Sequence, residues 1–259
     1  QREAQRAYLD FLGGLLKGAE YVELVYMTGI LPVKKYGEDS LLPDFEEDSM
    51  MAPGELAGMF GFTGEEVRAL CLEKGVNFAE MRTWYDGYFL DGLHIYNPKS
   101  VTEALRQGKF KAYWTRMETY GVLKEYVDQG VDGMREAAVG LLGNGRCRIN
   151  FRRFRNDMVM FYTGDDVLVF LVHLGYLSFD GERGEVFIPN QEIRQEWWKL
   201  LEEPEWSGLA YALNRWEKLL ERTLALDGDG VAEEMEAIHS RTESLLCYDN
   251  GYALAGTVL

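Results

Sequence analysis

The residues best placed to do chemistry lie between Trp84 and Val101, in the run Trp-Tyr-Asp-Gly-Tyr-Phe-Leu-Asp-Gly-Leu-His-Ile-Tyr-Asn-Pro-Lys-Ser-Val. Asp86 and Asp91 could be imagined as an acid/base pair, with His94 close by in sequence. Both aspartates precede a glycine, however, and an Asp-Gly pair readily adopts the positive φ of a tight hairpin turn. Two turn-forming aspartates account for the run better than an active site does. A second candidate is basic: Arg146, Arg148, Arg152, Arg153 and Arg155 alternate with Ile149, Phe151 and Phe154. Basic side chains beside aromatics can contact nucleic acid. In a chain of formal charge −16, a solvated face paired with neighbouring carboxylates is the stronger explanation.

Other motifs fall short of their chemistry. Asp227-Gly-Asp-Gly230 begins as a calcium loop would, but Ala232 and Ile238 stand where that loop needs glycine and glutamate, so it reads as a polar helix–helix turn. Gly108-Lys109 lacks the upstream glycine and following hydroxyl of a phosphate-cradling loop. His94, His173 and His239 are scattered and form no zinc-binding helix, and no cysteine pair has metal spacing. His173 lies in an apolar stretch and reads as a core histidine. No Gly-x-Ser-x-Gly elbow is present.

The bulk properties exclude further classes. With 47% hydrophobic and 13% aromatic residues the 259-residue chain can build real cores, so global disorder is not expected. The acidic charge argues against general phosphate-backbone binding. Cys71, Cys147 and Cys247 are odd in number and far apart, which suits a reducing compartment. No apolar run approaches the roughly 20 residues that span a bilayer, and no signal peptide opens the chain. A cytoplasmic location without membrane contact is the expectation. The absent initiator Met and the helix-like ending Gly-Thr-Val-Leu lead us to expect a segment of a longer protein.

The elements that would position these residues are mainly helical with small β elements, an α+β class. Residues 4–16 have helical apolar spacing, and Tyr21–Met27 reads as a buried strand closed by Thr28-Gly29. A polar residue at the carboxyl end of such a strand can point into a ligand crevice, and Thr28 holds that place, although a threonine that simply ends a strand before a turn is the stronger reading. Pro53 opens a short helix, Thr63 and Glu66 form a capping box, and Asn77 caps another short helix. The Asp91-Gly92 hairpin leads into a helix capped by Asn97 with Pro98 first. Helices are expected over about 119–128, 131–142, 206–226 and 231–246. Asp165 is expected to cap a helix that leads into a hairpin, Tyr176–Asp180 with Glu185–Ile188, the sequence of parts a winged helix needs. Asn190 caps the next helix, carrying Ile193, Trp197 and Trp198.

Seven short motifs occur in order: Tyr26-Met-Thr-Gly-Ile-Leu-Pro32, Gly61-Phe-Thr-Gly-Glu-Glu-Val67, Trp84-Tyr-Asp-Gly-Tyr88, Tyr96-Asn-Pro-Lys-Ser-Val101, Tyr113-Trp114, Leu174-Gly-Tyr-Leu177 and Ile188-Pro-Asn-Gln-Glu-Ile193. This ordered set resembles the bacterial AAA-ATPase-like proteins that carry a C-terminal PD-(D/E)XK nuclease-like domain. The resemblance implies four parts: the end of an ATPase core (1–52), a helical lid region with a hairpin (53–145), a winged-helix-like segment (146–190) and the helical start of a nuclease-like domain (191–259). It places Thr28 where such proteins sense the γ-phosphate. It places the phosphate-binding loop and the acidic metal-binding motif before residue 1, and the nuclease's catalytic residues beyond Leu259. No catalytic residue and no metal ligand therefore fall in this segment. ATP and Mg2+ are implied for the parent protein only, the partners are its own N- and C-terminal domains, and DNA contact would come through the parent. Two alternatives stand beside it: a helical protein–protein adaptor using Trp197, Trp198 and Trp206, and a DNA-binding winged-helix module using the arginine run.

Overall fold

The computed structural model describes residues 2–29, 46–114, 124, 133–150, 163–202 and 206–242. Compactness divides the chain into two units, Gln1–Glu192 and Ile193–Leu259. Its class is mainly α with two small antiparallel sheets. No helix among the described residues is long and apolar enough to cross a membrane.

The first unit opens with helix α1 (Arg2–Leu16). The segment after it corrects the expected strand: residues 22–29 are irregular, and Tyr21, Leu24 and Tyr26 are exposed. A strand exists only where a neighbour takes its backbone N–H and C=O groups. Among the described residues, the two sheets use other strands entirely. A two-turn 3-10 helix (Gly54–Met59) then leads to β1 (Phe62–Thr63) and α2 (Gly64–Lys74). The capping box forms: the Glu66 amide donates to Thr63 Oγ1 at 3.4 Å, and the Thr63 amide donates to Glu66 Oε2 at 2.8 Å. Gly75, in the left-handed region, ends the helix.

Asn77 caps α3 (Phe78–Tyr85) by accepting from the amides of Ala79 and Glu80. Strands β2 (Tyr88–Leu90) and β3 (Leu93–Tyr96) pair across Asp91-Gly92, whose φ values of 49° and 78° are those of the tight hairpin turn expected there. Asn97 and Pro98 start α4 (Pro98–Gln107) as expected. The first sheet is ordered β1-β3-β2. Beneath it, Val67 and Cys71 of α2, Met81 and Tyr85 of α3, Tyr96 of β3, and Val101 and Ala104 of α4 form one core. Complete burial of a side chain such as Met81 contributes about 1.5–3 kcal/mol.

Helix α5 (Met134–Leu142), strand β4 (Cys147–Arg148), helix α6 (Gly164–His173) and hairpin β5 (Ser178–Asp180)–β6 (Glu185–Phe187) complete this unit, with the second sheet ordered β4-β6-β5. The helix-then-hairpin sequence of parts expected for 146–190 is present. The cap of α6 is Thr163, not Asp165: Thr163 Oγ1 accepts from the Asp166 amide at 3.3 Å, and Asp166 Oδ2 accepts from the Thr163 amide at 3.0 Å. Asp165 instead accepts from the Asn150 amide at 3.1 Å. The expected helix at 119–128 lies outside the described residues, Lys124 excepted.

Helix α7 (Gln191–Lys199) and a 3-10 turn (Leu200–Glu202) precede α8 (Ser207–Leu224) and α9 (Gly228–Thr242), which pack as a helical hairpin in the second unit. Here the expectation moves by three residues. Asp227 is the helix cap, with Oδ1 accepting from the Gly230 amide at 3.0 Å, so Gly228–Gly230 form the first turn of α9 and not a linker. Arg215 pairs with the buried Glu234 across the two helices, and its Nη1 lies 2.5 Å from Tyr211 Oη.

Candidate functional site

Five of the seven motifs contribute to a polar and aromatic junction between the β2–β3 hairpin and the second sheet. Tyr88, on β2, is buried, and its hydroxyl donates to the Gly175 carbonyl at 2.6 Å. Burial pushes the Tyr88 phenol well above its ordinary pKa, so it stays a donor. The next residue on β2, Phe89, donates its amide to Ser178 Oγ on β5 at 3.3 Å. Gly175 has φ +82°, and a Cβ there would lie 3.8 Å from Tyr88 Oη and 3.6 Å from the Trp114 ring. Trp114 in turn meets the Tyr176 ring edge-on, 5.1 Å between centroids.

A buried carboxylate closes the junction. Glu192 is 2% exposed and accepts hydrogen bonds from Ser100 Oγ on α4 at 2.7 Å, from the Tyr113 amide at 2.6 Å and from the Trp114 amide at 2.8 Å. A buried charge is tolerable only when its oxygens are occupied in this way. Tyr85 completes the frame by donating to the Lys111 carbonyl at 2.8 Å and accepting the Lys111 amide at 3.2 Å. Gly87 fixes the approach of the chains: its φ is +116°, and a Cβ would sit 1.9 Å from the Pro189 carbonyl oxygen. Gly61, of the second motif, is as tightly set, with the Tyr96 carbonyl oxygen 2.4 Å from where its Cβ would stand.

Of the candidate acid/base residues, the structure brings together Asp86 and His94, while Asp91 stands in the turn. Asp86 is 9% exposed, and its Oδ1 accepts from His94 Nδ1 at 2.9 Å and from the Gly87 amide at 2.7 Å. Arg82 Nε lies 3.5 Å from Oδ2. Burial and the charge of Asp86 push the Tyr96 phenol upward. The Phe89 ring covers the imidazole at 4.2 Å. A carboxylate on Nδ1 orients an imidazole as a base, which then needs a nucleophile on Nε2. Among the described residues no hydroxyl or thiol is hydrogen-bonded to His94, and no group of three metal-ligating side chains forms. The pair ties the end of α3 to β3.

The remaining candidates separate. Thr28 is exposed on the irregular segment. Arg146 is engaged: its Nη1 lies 3.0 Å from Asp180 Oδ2, and its guanidinium stacks 4.2 Å over Phe187. Arg148 faces Glu185 across the strand pair. Arg152, Arg153 and Arg155 lie outside the described residues. Helix α6, which a winged helix would lay in a DNA groove, carries no Lys or Arg and is buried from Val167 to Val172. Trp197 and Trp206 are buried and Trp198 is 43% exposed. Burial lowers the pKa of His173, favouring the neutral ring. The partners of Tyr88, Ser100 and Glu192 had no local signal, because each bond spans some 80 residues or more. No protein-family profile, curated protein or solved structure matches the chain.

Proposed function

We propose that this chain is the central coupling segment of an AAA-ATPase-like protein, joining a nucleotide-binding domain to a PD-(D/E)XK nuclease-like effector and doing no bond chemistry itself. The family attribution rests on the order of the seven motifs. The mechanical part rests on one observation: polar atoms of five motifs link them to one another, Tyr88 with Gly175 and Glu192 with Ser100, Tyr113 and Trp114. Side chains committed in this way hold two sheets in one register. A lid-like hairpin so fastened carries the second sheet with it when it moves as a rigid body.

In this reading ATP and Mg2+ bind the parent protein, with Thr28 at the edge of its nucleotide site, and the segment works in the cytoplasm. Titration of the 259-residue chain with MgATP by calorimetry tests the division of labour. The expected result is no measurable binding and no phosphate release. Tight binding would overturn it, because the chain would then hold a nucleotide site of its own.

A further inference from the structure

Two buried carboxylates stand one turn apart on α7, and they are matched unequally. Glu192 is held by Ser100 and by the amides of Tyr113 and Trp114. Glu196 is 1% exposed, and its Oε1 accepts from Lys199 Nζ. Its Oε2 is buried with no hydrogen-bond partner among the described residues. A buried carboxylate oxygen without a donor has given up its hydration for nothing in return. Like charges four residues apart on a helix add a smaller penalty. Native folds carry few such groups, and one that persists marks a place under strain or a place that changes state.

The position of Glu196 in the chain favours the second. The boundary between the two compact units falls inside α7, directly after Glu192. Beyond Lys199 the helix tightens into the 3-10 turn Leu200–Glu202, a form with poorer hydrogen-bond geometry that often marks a hinge. Against this, Ile193, Trp197 and Leu200 are buried along the same stretch and hold it closed. We propose that the second turn of α7 is a hinge. Glu192 keeps the first turn fastened, the buried apolar side chains close the second, and the unmatched Glu196 makes that second turn the easier one to open. The chain beyond it can then turn while the junction stays shut. This rests on α7 and not on the ATPase-like reading.

Glu196→Met tests it, because methionine keeps the length of the side chain and removes the unmatched oxygen. It strands no cation, since the Lys199 side chain is 41% exposed and can turn to water. Native-state hydrogen exchange on the 259-residue protein, at several urea concentrations below the unfolding midpoint, is the readout. In the parent protein the amides of 196–200 should exchange through a local opening, at a rate that depends only weakly on urea. Glu196→Met should slow them about tenfold and melt no lower than the parent. Glu192→Gln, which keeps an acceptor at the junction, should leave them within about twofold of the parent rate. Exchange at 196–200 that climbs with urea in step with α4 would show that the turn opens only with the whole fold, and would overturn the proposal. So would an unchanged or faster rate, or a lower melting point, in Glu196→Met.

Discussion

Replacing Glu192 with alanine removes the acceptor shared by three donors in the junction. Two of them, the amides of Tyr113 and Trp114, belong to the backbone and cannot turn to another partner. Each buried amide left unpaired costs about 1–3 kcal/mol. The Ser100 hydroxyl can rotate and loses about 1 kcal/mol. Together the alanine variant should lose roughly 3–7 kcal/mol, which is large for a single substitution. Glutamine differs in a way the geometry decides. Its carbonyl oxygen can stand where Oε1 now accepts both amides, and its NH2 can donate to Ser100 Oγ, so Glu192→Gln should cost only about 1 kcal/mol. Urea unfolding followed by circular dichroism reads the difference. With a slope of about 2 kcal/mol per molar, alanine should lower the midpoint by roughly 1.5–3.5 M and glutamine by about 0.5 M. Hydrogen exchange at Tyr113 and Trp114 should accelerate in the alanine variant first. Equal shifts for the two variants, or unchanged exchange at those amides, would refute the view that this carboxylate organises the junction.

Three further outcomes follow from other parts of the unit. Gly87→Ala places a methyl 1.9 Å from the Pro189 oxygen at φ +116° and should cost about 3 kcal/mol or more, whereas Gly92→Ala, in open space at φ +78°, should cost about 1 kcal/mol; thermal melts compare them. Thr63→Ala removes the cap of α2 and should cost about 1 kcal/mol, read as faster exchange over the helix's first turn. Hydrogen bonds from the Thr63 amide and hydroxyl hold the Glu66 carboxyl below its ordinary value of 4.5. A folded pKa below the unfolded one gives stability that is complete above 4.5 and disappears as pH falls through the folded value. The penalty of Thr63→Ala should therefore shrink between pH 5 and pH 3 in parallel melts, while an NMR titration of Glu66 shows its midpoint rising in the variant.

Where the determining bond is local, residue types alone were enough. The Thr63–Glu66 box, the Asn77 and Asn97 caps and the Asp91-Gly92 turn each close within a few residues, and each stands where the pattern places it. Two near misses have the same local scale. Thr163 competes with Asp165 for one helix start, and Asp227 can serve either a turn or a cap. Tyr21–Met27 failed for a different reason: β-rich composition states a preference, and only a partner strand makes it a strand. The junction was legible as a set of motifs but not as a site. Nothing near Glu192 announces that its carboxylate will reach Ser100 across 92 residues. His94 seemed to belong with two aspartates, and packing gave it one.

The central claim is that the motif residues fasten the hairpin β2–β3 to the sheet holding β5–β6. Native-state hydrogen exchange on the parent protein and on Tyr88→Phe tests it most directly. The substitution removes only the hydroxyl that reaches Gly175, worth about 1–2 kcal/mol in a buried setting. The account predicts that amides of β2–β3 and of β5–β6 lose protection together and by the same amount. Loss confined to β2–β3, with β5–β6 as protected as before, would show two elements that open independently and would contradict it.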